Sequence, residues 1–327
     1  MLRIAVAGAG FMGTTHATRW AALPDVAVVG VYSRTAARAQ AVAGPLGAAA
    51  VTDMGALLGL EADAVDVCLP TSRHAETTLA ALSAGRHVVC EKPIALRPED
   101  GEAMAGAARR AGRLLLVAHV LRFWPEYAEL RRLVAGGAIG RPTSAAAARL
   151  QEGPGWVCDG LAARGDSGGP VVDLQIHDHD FLAWLFGVPR LVSASGSDRH
   201  VFSTYTFDGG AVASAEAASD MPSGYPFTSA LRVRGEDGVL EYVFRAGGVR
   251  PDAAGGESVL MHHPRGGSAA PVPVAAGEPY AQQIAHFADC LRRGEPSPVV
   301  TPESSVRALR IALAARRSLD SGAPAVP

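Results

Sequence analysis

The sequence predicts an α/β domain with a doubly wound parallel sheet, followed by an α+β domain with an open, mostly antiparallel sheet and helices on one face. The chain has 327 residues, enough for two domains of about 150 residues each. Up to about residue 120, short apolar strands alternate with Ala-rich helical stretches, as in a parallel sheet. Beyond that point most segments indicate strands separated by turn signals. We therefore expect domains at 1–122 and 123–327.

In the first domain, apolar runs predict the strands of the parallel sheet. These runs are residues 3–7, 26–32, 65–69, 87–90 and 114–117. Residues 98–111 predict a helix, because Pro98 stands at its start and Gly112 just past its end.

The second domain begins with a helix and a Gly/Pro-rich linker at residues 136–142, after which most segments indicate strands. Turn signals at 208–210 and 237–238 predict hairpins, and residues 246–256 predict a loop. Residues 170–186 predict a single long helix, with Pro in its first turn, no interior glycine and Gly187 at its end. We expect this helix to pack on one face of the sheet.

Composition indicates a globular protein that acts in the cytoplasm. Hydrophobic residues make up 48% and charged residues 19% of the chain, and the net charge is −2. With no long basic run, we expect neither nucleic acid nor a membrane as a partner. The first strand begins almost at the N-terminus, which leaves no room for a signal peptide, and no apolar run reaches membrane-spanning length. Four cysteines without metal-ligand spacing predict reduced, mostly buried thiols; they are Cys68, Cys90, Cys158 and Cys290.

A glycine-rich turn follows the first strand and precedes a helical stretch. Residues 8–13 read G-A-G-F-M-G, which is the G-x-G-x-x-G pattern in its strand–turn–helix context. Such glycines permit a tight turn, close approach of a pyrophosphate and close packing of helix on sheet. The sequence therefore predicts a Rossmann domain that binds NAD or NADP. The residues of this turn that we expect at the cofactor are Gly8, Gly10, Phe11, Met12 and Gly13.

The end of the second strand bears on which dinucleotide is bound. An acid at this place would bind the ribose 2′-hydroxyl of NAD, but the sequence has Ser33 and Arg34, with Arg38 one helical turn further on. A hydroxyl beside guanidinium groups accepts a 2′-phosphate. We therefore expect NADP to be preferred over NAD. The alternative is that Arg34 is a solvated loop residue, or stacks on adenine without contacting the phosphate.

Further candidates follow two other strands of the first domain. Glu91 and Lys92 follow the strand at 87–90, where a side chain points into the ligand crevice of a doubly wound sheet, and both are expected at the cofactor. An ammonium group there can donate to a substrate oxygen and stabilise an alkoxide. Pro70 and Thr71 are expected near the nicotinamide, or form a plain turn. His74 is also expected at the cofactor, with a structural role as the alternative. For His16 and His286 we expect structural roles.

Asp173 and His177 stand four residues apart on the long predicted helix and would share one face of it. A carboxylate beside an imidazole fixes the ring tautomer and stabilises its protonated form, as a general acid/base requires. The alternative is a solvated surface ion pair. Asp180 either orients the His177 ring or is a surface carboxylate. His177 and His179 also spell the H-x-H of some metal-dependent hydrolases, but positions i and i+2 of a helix point apart, so we expect no metal.

Together these motifs resemble the glucose–fructose oxidoreductase, inositol dehydrogenase and rhizopine catabolism (Gfo/Idh/MocA) family of oxidoreductases. The similarity rests on GAGFMG, on EKP and on GGPVVDLQIHDHD, in that order. Residues 119–125 and 137–140 resemble the family's linking region, and residues 280–293 its C-terminal helical region.

The resemblance implies a nicotinamide cofactor, a catalytic lysine matched by Lys92, and a catalytic Asp/His pair matched by Asp173 and His177. It also implies a homodimer or homotetramer, built through the open face of the second sheet. Ser33 departs from the acid that many NAD-using members carry.

The sequence thus predicts an NAD(P)-dependent oxidoreductase for a carbinol or ketone of a sugar, cyclitol or related polyol. His119, Arg122 and Trp156 are expected at the substrate, with structural roles as the alternative. A cofactor-binding sensor without turnover is the competing hypothesis, and the joint presence of Lys92, Asp173 and His177 argues against it.

Overall fold

The structure, a computed structural model, describes residues 1–153 and 167–327. In chain order its α-helices are α1 (Phe11–Ala21), α2 (Ala36–Ala43), α3 (Met54–Gly59), α4 (His74–Ser83), α5 (Pro98–Ala111), α6 (Pro125–Ala135), α7 (Pro170–Asp173), α8 (Ile176–Phe186), α9 (Pro279–Arg293) and α10 (Pro302–Ser321). Its strands are β1 (Leu2–Ala7), β2 (Val26–Tyr32), β3 (Ala49–Val51), β4 (Ala64–Val67), β5 (His87–Glu91), β6 (Leu115–Ala118), β7 (Pro142–Glu152), β8 (Leu191–Gly196), β9 (His200–Thr206), β10 (Val212–Met221), β11 (Thr228–Gly235), β12 (Gly238–Arg245), β13 (Glu257–Pro264) and β14 (Ala270–Pro271). None of the helices in these two ranges is both long and apolar enough to span a bilayer.

The chain forms two units, and the first contains residues from both ends of the sequence. It comprises Met1–Phe123 together with Glu278–Val306, and the second comprises Trp124–Gly277 with Arg307–Pro327. The predicted domains, 1–122 and 123–327, do not include this return of residues 278–306 to the first unit. The helix α9 is amphipathic, and its buried face includes Ile284 and Phe287, so this segment adds apolar surface to the first unit's core.

The first unit is built on a six-stranded sheet in the order β3-β2-β1-β4-β5-β6. All its pairings are parallel, which confirms the predicted doubly wound sheet. The central strands β1, β4, β5 and β6 are buried almost throughout, because helices cover both faces of such a sheet. The carboxyl ends of β1, β4 and β5 therefore lie side by side at one edge of the sheet.

The second unit is built on an eight-stranded sheet in the order β14-β13-β12-β11-β7-β10-β9-β8. Only β7 and β10 pair in parallel, so the prediction of a mostly antiparallel sheet is confirmed. The turns at 208–210 and 237–238 join β9 to β10 and β11 to β12 as antiparallel hairpins. Residues 246–256 form a loop. Each of these turns stands where the sequence indicated it.

The prediction of one continuous helix over residues 170–186 is wrong, because Leu174 and Gln175 interrupt it between α7 and α8. The N–H of Gln175 bonds to the carbonyl of Pro170, five residues back, at 3.0 Å. The Gln175 side chain is fully buried; its Nε2 donates to the Ala215 carbonyl at 3.1 Å, and its Oε1 accepts from Ser203 Oγ at 2.8 Å. These hydrogen bonds to β10 and β9 stabilise the wider turn in place of the regular ladder.

Candidate active site

The glycine turn between β1 and α1 has the shape that a dinucleotide pyrophosphate requires. Gly8 adopts φ +134°, and a Cβ there would overlap the carbonyl of Cys68. A Cβ on Gly13 would overlap the Gly8 carbonyl, whereas a Cβ on Gly10 would meet nothing within 4 Å. Gly10 caps α1 without a side-chain hydrogen bond, and the first turn, which begins with Phe11 and Met12, holds no acid. The open side at Gly10 and the uncapped helix start fit a phosphate group.

The end of β2 lies beside this turn. The N–H of Gly8 donates to the carbonyl of Tyr32 at 3.1 Å, and the N–H of Ser33 to that of Val51 at 3.1 Å. Ser33 is half-buried, whereas Arg34 and Arg38 are exposed. The three residues thus follow β2 beside the glycine turn, and their position at the adenosine ribose stays a prediction. Contact of Arg34 with a 2′-phosphate stays a prediction.

Lys92 directly follows β5, at the same edge of the sheet as the glycine turn. Glu91 is buried, and its Oε2 accepts the backbone N–H of Lys92 at 3.0 Å. On the other side of the lysine, the carbonyl of Pro93 lies 2.8 Å from His74 Nδ1. The backbone of Lys92 is thus held at both of its neighbours, which limits the directions in which its side chain can leave the strand.

His74 joins the ends of two strands, because its Nε2 also lies 2.8 Å from the carbonyl of Leu69. Burial lowers the pKa of His74, and the two carbonyls oppose that shift. Both ring nitrogens are engaged by the backbone, which favours the structural interpretation of this residue. Pro70 and Thr71 lie between β4 and α4, with Thr71 buried, and their contact with the nicotinamide stays a prediction.

Composition holds one signal that motif reasoning missed. Lys92 is the single lysine among the 30 Lys and Arg residues of the chain. Arginine is always charged and forms planar bidentate contacts, whereas lysine offers a compact ammonium that can exchange its proton. A chain that uses arginine at every other basic position but lysine at a strand end indicates a chemical requirement for an amine there.

The predicted substrate residues of the first unit are buried. His119 is 1% exposed, and Arg122, 7% exposed, donates through Nη1 to the carbonyl of Val299 at 2.6 Å. The guanidinium thus attaches the segment after α9 to the short helix Val120–Phe123. Substrate contact by either residue stays a prediction, and Trp156 lies outside the described residues, as does Cys158.

In the second unit, Asp173 ends α7 and His177 lies in the first turn of α8, and both are half-buried. Because the helix is interrupted between them, the four-residue spacing does not by itself place them on one helical face. Asp180 is 1% exposed, so it is not a surface carboxylate. The general acid/base role of the Asp173 and His177 pair stays a prediction.

Two neighbours of His177 anchor α8 to the sheet. Asp178 forms a bidentate ion pair with Arg149 of β7, with Nε–Oδ2 and Nη2–Oδ1 distances of 3.1 and 2.9 Å. Burial raises the pKa of Asp178, and the guanidinium opposes that shift. His179 Nδ1 lies 2.8 Å from the hydroxyl of Tyr205 on β9, and burial lowers the pKa of His179 to about 3. His179 is therefore a neutral core residue.

The H-x-H alternative finds no support in this geometry. His177 and His179 lie on a helix two residues apart, as expected. Within residues 1–153 and 167–327, one group of three side chains has metal-ligating atoms within 4.8 Å of one another, and it consists of His16, Asp66 and Cys68 in the first unit. Neither histidine of the H-x-H pattern belongs to it.

Comparison with known proteins gives the family. Residues 2–119 match the model of an oxidoreductase family with an NAD-binding Rossmann fold, and residues 127–241 match the Gfo/Idh/MocA C-terminal domain. The chain is 31% identical to D-xylose 1-dehydrogenase (NADP(+)) 2 of Haloferax volcanii, over 90% of each protein. The chain belongs to the Gfo/Idh/MocA family of oxidoreductases.

Two further comparisons agree with this membership. D-glucoside 3-dehydrogenase of Escherichia coli is 37% identical over 59% of the chain, a match that spans 56% of that enzyme. The structure of UDP-N-acetylglucosamine 3-dehydrogenase from Acidithiobacillus ferrooxidans superposes with a TM-score of 0.81, at 27% identity and 98% coverage of both chains. The chain is therefore an NAD(P)-dependent oxidoreductase, and its relatives include NAD(+)- and NADP(+)-dependent dehydrogenases.

Proposed function

We propose that this enzyme transfers a hydride between NADP and a carbinol or ketone carbon of a sugar, a cyclitol or a related polyol. The observation that carries the proposal is the place of Lys92, the single lysine, at the carboxyl end of β5 on the sheet edge that also holds the glycine turn. The named relatives act on D-xylose, D-glucosides and UDP-N-acetylglucosamine. A hydroxylated ring or its ketone is the chemistry that these substrates share.

In the proposed mechanism, the bound nicotinamide supplies or accepts the hydride. His177 transfers the proton of the substrate hydroxyl, as its imidazole can do near neutral pH. The ammonium of Lys92 donates a hydrogen bond to the same oxygen and stabilises the charge that develops there. Asp173 orients the pair.

A substrate screen tests the activity. Ketoses, anhydrosugars and inososes are supplied with NADPH, and D-xylose and D-glucosides with NADP⁺, and the cofactor absorbance is followed. With a turned-over substrate, Lys92→Ala and His177→Ala should each lower kcat by about 10²–10⁴, the range for a positioned acid/base. NADPH should still bind both variants. Asp208→Asn, at an exposed carboxylate in the β9–β10 turn, is the control and should retain wild-type turnover.

Two results would count against the proposal. Near wild-type turnover in either variant would remove that residue from the mechanism. NADPH binding without turnover of any substrate in the screen would indicate a cofactor-binding sensor instead.

The preference for NADP rests on Ser33, Arg34 and Arg38, which follow β2 without an acid. A charge-assisted contact of Arg34 with the 2′-phosphate is worth about 1.5–3 kcal/mol. At about 1.4 kcal/mol per tenfold change in affinity, Arg34→Ala should weaken NADPH binding by roughly 10- to 150-fold. The affinity for NADH should barely change, because NADH has no 2′-phosphate. An unchanged ratio of the two dissociation constants would show that Arg34 does not bind the phosphate.

We also propose that copies of the chain associate as a dimer or tetramer through the face of the eight-stranded sheet opposite α8. This face carries small residues on β7 and β11, namely Ala146, Ala148 and Ala230, with Phe202 and Val212 exposed by 51% and 49%. The charged side chains of Glu216, Arg232 and Glu241 lie among them, and a sheet face with exposed apolar residues is typically covered by a partner. Phe202→Arg should dissociate the assembly in sedimentation velocity, and Val188→Arg, at a 47% exposed apolar residue in the segment between α8 and β8, should not. A wild-type monomer at micromolar concentration would contradict the proposal.

We also propose that the enzyme acts in the cytoplasm, where thiols stay reduced. It is supported by Cys68, Cys90 and Cys290, which are free cysteines.

A further inference from the structure

A cluster of buried charged side chains lies beneath Lys92; we call His16, Asp66 and Glu91 the His16 cluster. His16 of α1 and Asp66 of β4 are fully buried, and the side chain of Glu91 on β5 is 8% exposed. His16 Nδ1 lies 2.9 Å from Asp66 Oδ2, and His16 Nε2 lies 3.2 Å from Glu91 Oε1. Nδ1 is hydrogen-bonded to Asp66, whereas Nε2 is not hydrogen-bonded to Glu91 and lies within ion-pair distance of its carboxylate, on a different strand.

The charge state of His16 follows from these neighbours. Burial is the largest single effect and lowers the pKa of His16, but the carboxylate of Asp66 and the neighbouring Cys68 together outweigh it and raise the pKa well above its ordinary value. The ring is therefore an imidazolium between two acids. Asp66 Oδ2 also accepts the indole N–H of Trp20 at 2.6 Å, and its Oδ1 accepts from Cys68 Sγ at 3.4 Å. The ligand atoms of His16, Asp66 and Cys68 are thus engaged with one another and with Trp20, so the group is an ion-pair cluster rather than a metal site.

Glu91 connects this cluster to the lysine. One carboxylate oxygen faces His16, and the other accepts the backbone N–H of Lys92 at 3.0 Å. Without the imidazolium, the cluster would hold two buried carboxylates and no cation, an arrangement that carries a large desolvation cost. Glu91 would then lose the cation that attracts it and turn towards water, and the Lys92 N–H would lose its acceptor. His16 thus determines where the Glu91 carboxylate lies.

We propose that His16 is a positioning residue for Lys92. Its buried imidazolium holds the Glu91 carboxylate against the backbone of Lys92, which fixes the direction in which the only lysine side chain leaves β5. His16 belongs to the helix that begins at the glycine turn, so the same helix that is proposed to bind the pyrophosphate also determines the position of the ammonium. This inference rests on the proposed catalytic function of Lys92.

The single lysine makes the inference testable without turnover. Protein grown with ¹³C,¹⁵N-lysine gives one side-chain Cε–Hε signal, and it belongs to Lys92. In the wild type this signal should differ in chemical shift from free lysine and show restricted motion. In His16→Gln and in Glu91→Gln it should move towards the free-lysine shift and sharpen as the side chain gains mobility. The control His286→Gln removes another histidine of the first unit, one that is hydrogen-bonded to Ser297 and not to the His16 cluster, and should leave the signal in place.

A further variant controls for a fold disturbed by an unbalanced buried charge. The double variant His16→Gln, Glu91→Gln has the same net cluster charge as the wild type, because one acid and the one cation are both removed. A mobile Lys92 in this folded variant supports the inference. A wild-type lysine signal in it, or an equal shift in His286→Gln, overturns the inference.

Kinetics separate positioning from general stability. With a turned-over substrate, His16→Gln should lower kcat by about 10- to 100-fold, since small misplacements of a catalytic group have effects of this size. The Kd for NADPH should change by less than kcat does. In the Lys92→Ala background the same change should lower kcat no further, because its effect passes through the lysine. An equal loss in both backgrounds would show that His16 acts on the fold alone. Full turnover by Lys92→Ala would refute the proposed function, whereas the lysine signal would still report on His16.

Discussion

Replacing Arg149 by methionine would leave the carboxylate of Asp178 buried without its cation. Both side chains are nearly inaccessible, 3% exposed for Arg149 and 1% for Asp178, and the pair is bidentate. Removing one partner of such a pair costs about 3–5 kcal/mol, because the remaining charge has neither water nor a counter-ion. For a unit of this size, about 2–4 °C per kcal/mol converts that loss to roughly 6–20 °C in Tm.

The double variant Arg149→Met, Asp178→Leu separates the ion pair from simple packing. Apolar residues of similar size in place of a buried ion pair are often neutral or stabilising, so the double variant should recover most of the lost Tm. A matched control is Arg141→Met, because Arg141 pairs with Glu236 at 2.6 Å in the same unit with 61% and 50% of the two side chains exposed. Exposed pairs contribute about 0–1 kcal/mol, so this variant should melt near the wild type.

Differential scanning calorimetry and urea unfolding at pH 7 measure these effects. In Arg149→Met, the deficit should shrink as the pH falls, because burial raises the pKa of Asp178 and the folded state then binds a proton more tightly than the unfolded state. A single variant within about 1 kcal/mol of the wild type, well below the expected cost, would contradict a stabilising role of this ion pair. A double variant as unstable as the single one would contradict it equally.

Three further predictions concern the core, the glycine turn and a helix cap. Because burial lowers the pKa of His179 to about 3, the unfolded state binds a proton that the folded state does not between about pH 6.5 and 3. The unfolding free energy from urea titrations should therefore fall with decreasing pH in that window, and it should fall less steeply in His179→Gln. Equal slopes for the two proteins would contradict this prediction. Gly10→Ala should fold normally yet bind NADPH poorly, whereas Gly13→Ala should lower Tm, since only the second Cβ would overlap backbone; thermal melts and cofactor titration distinguish them, and equal stability of the two variants would be inconsistent with the turn geometry. Glu278 accepts from the N–H groups of Tyr280 and Ala281 at 3.2 and 2.7 Å, so Glu278→Ala should cost about 0.5–2 kcal/mol in urea unfolding, as loss of an N-cap does, and no loss would show that this cap is redundant.

Local patterns in the sequence were sufficient for five of the six strands of the first unit's sheet and for two hairpin turns of the second unit. The glycine turn, the strand–helix alternation and the hairpin turns depend on residues near one another in the chain, and all are present. Lys92 was found because a strand end is a local signal. Its isolation as the single lysine is also a property of the sequence, visible in composition rather than in any motif.

The prediction of a continuous helix over residues 170–186 is wrong because of contacts with residues outside that segment. The local pattern favours a helix throughout, with no interior glycine or proline. The interruption is stabilised by Gln175, whose partners Ala215 and Ser203 are 40 and 28 residues away. No periodicity within the segment encodes those bonds, and the same holds for Asp178, whose partner Arg149 lies 29 residues back.

The sequence by itself determined the fold class, the family and the position of the lysine, because each depends on short-range spacing and composition. Only the tertiary structure decided what His16 and Glu91 are for. As a lone histidine on a helix, His16 is explained by a structural role, and nothing local distinguishes it from His286. Its imidazolium state and its contact with the lysine's neighbour arise because β4 and β5 pair in parallel beneath α1, which brings Asp66 and Glu91 to its two ring nitrogens. Buried charges interact over a few ångströms in space whatever their separation along the chain, so their partners are decided by the fold.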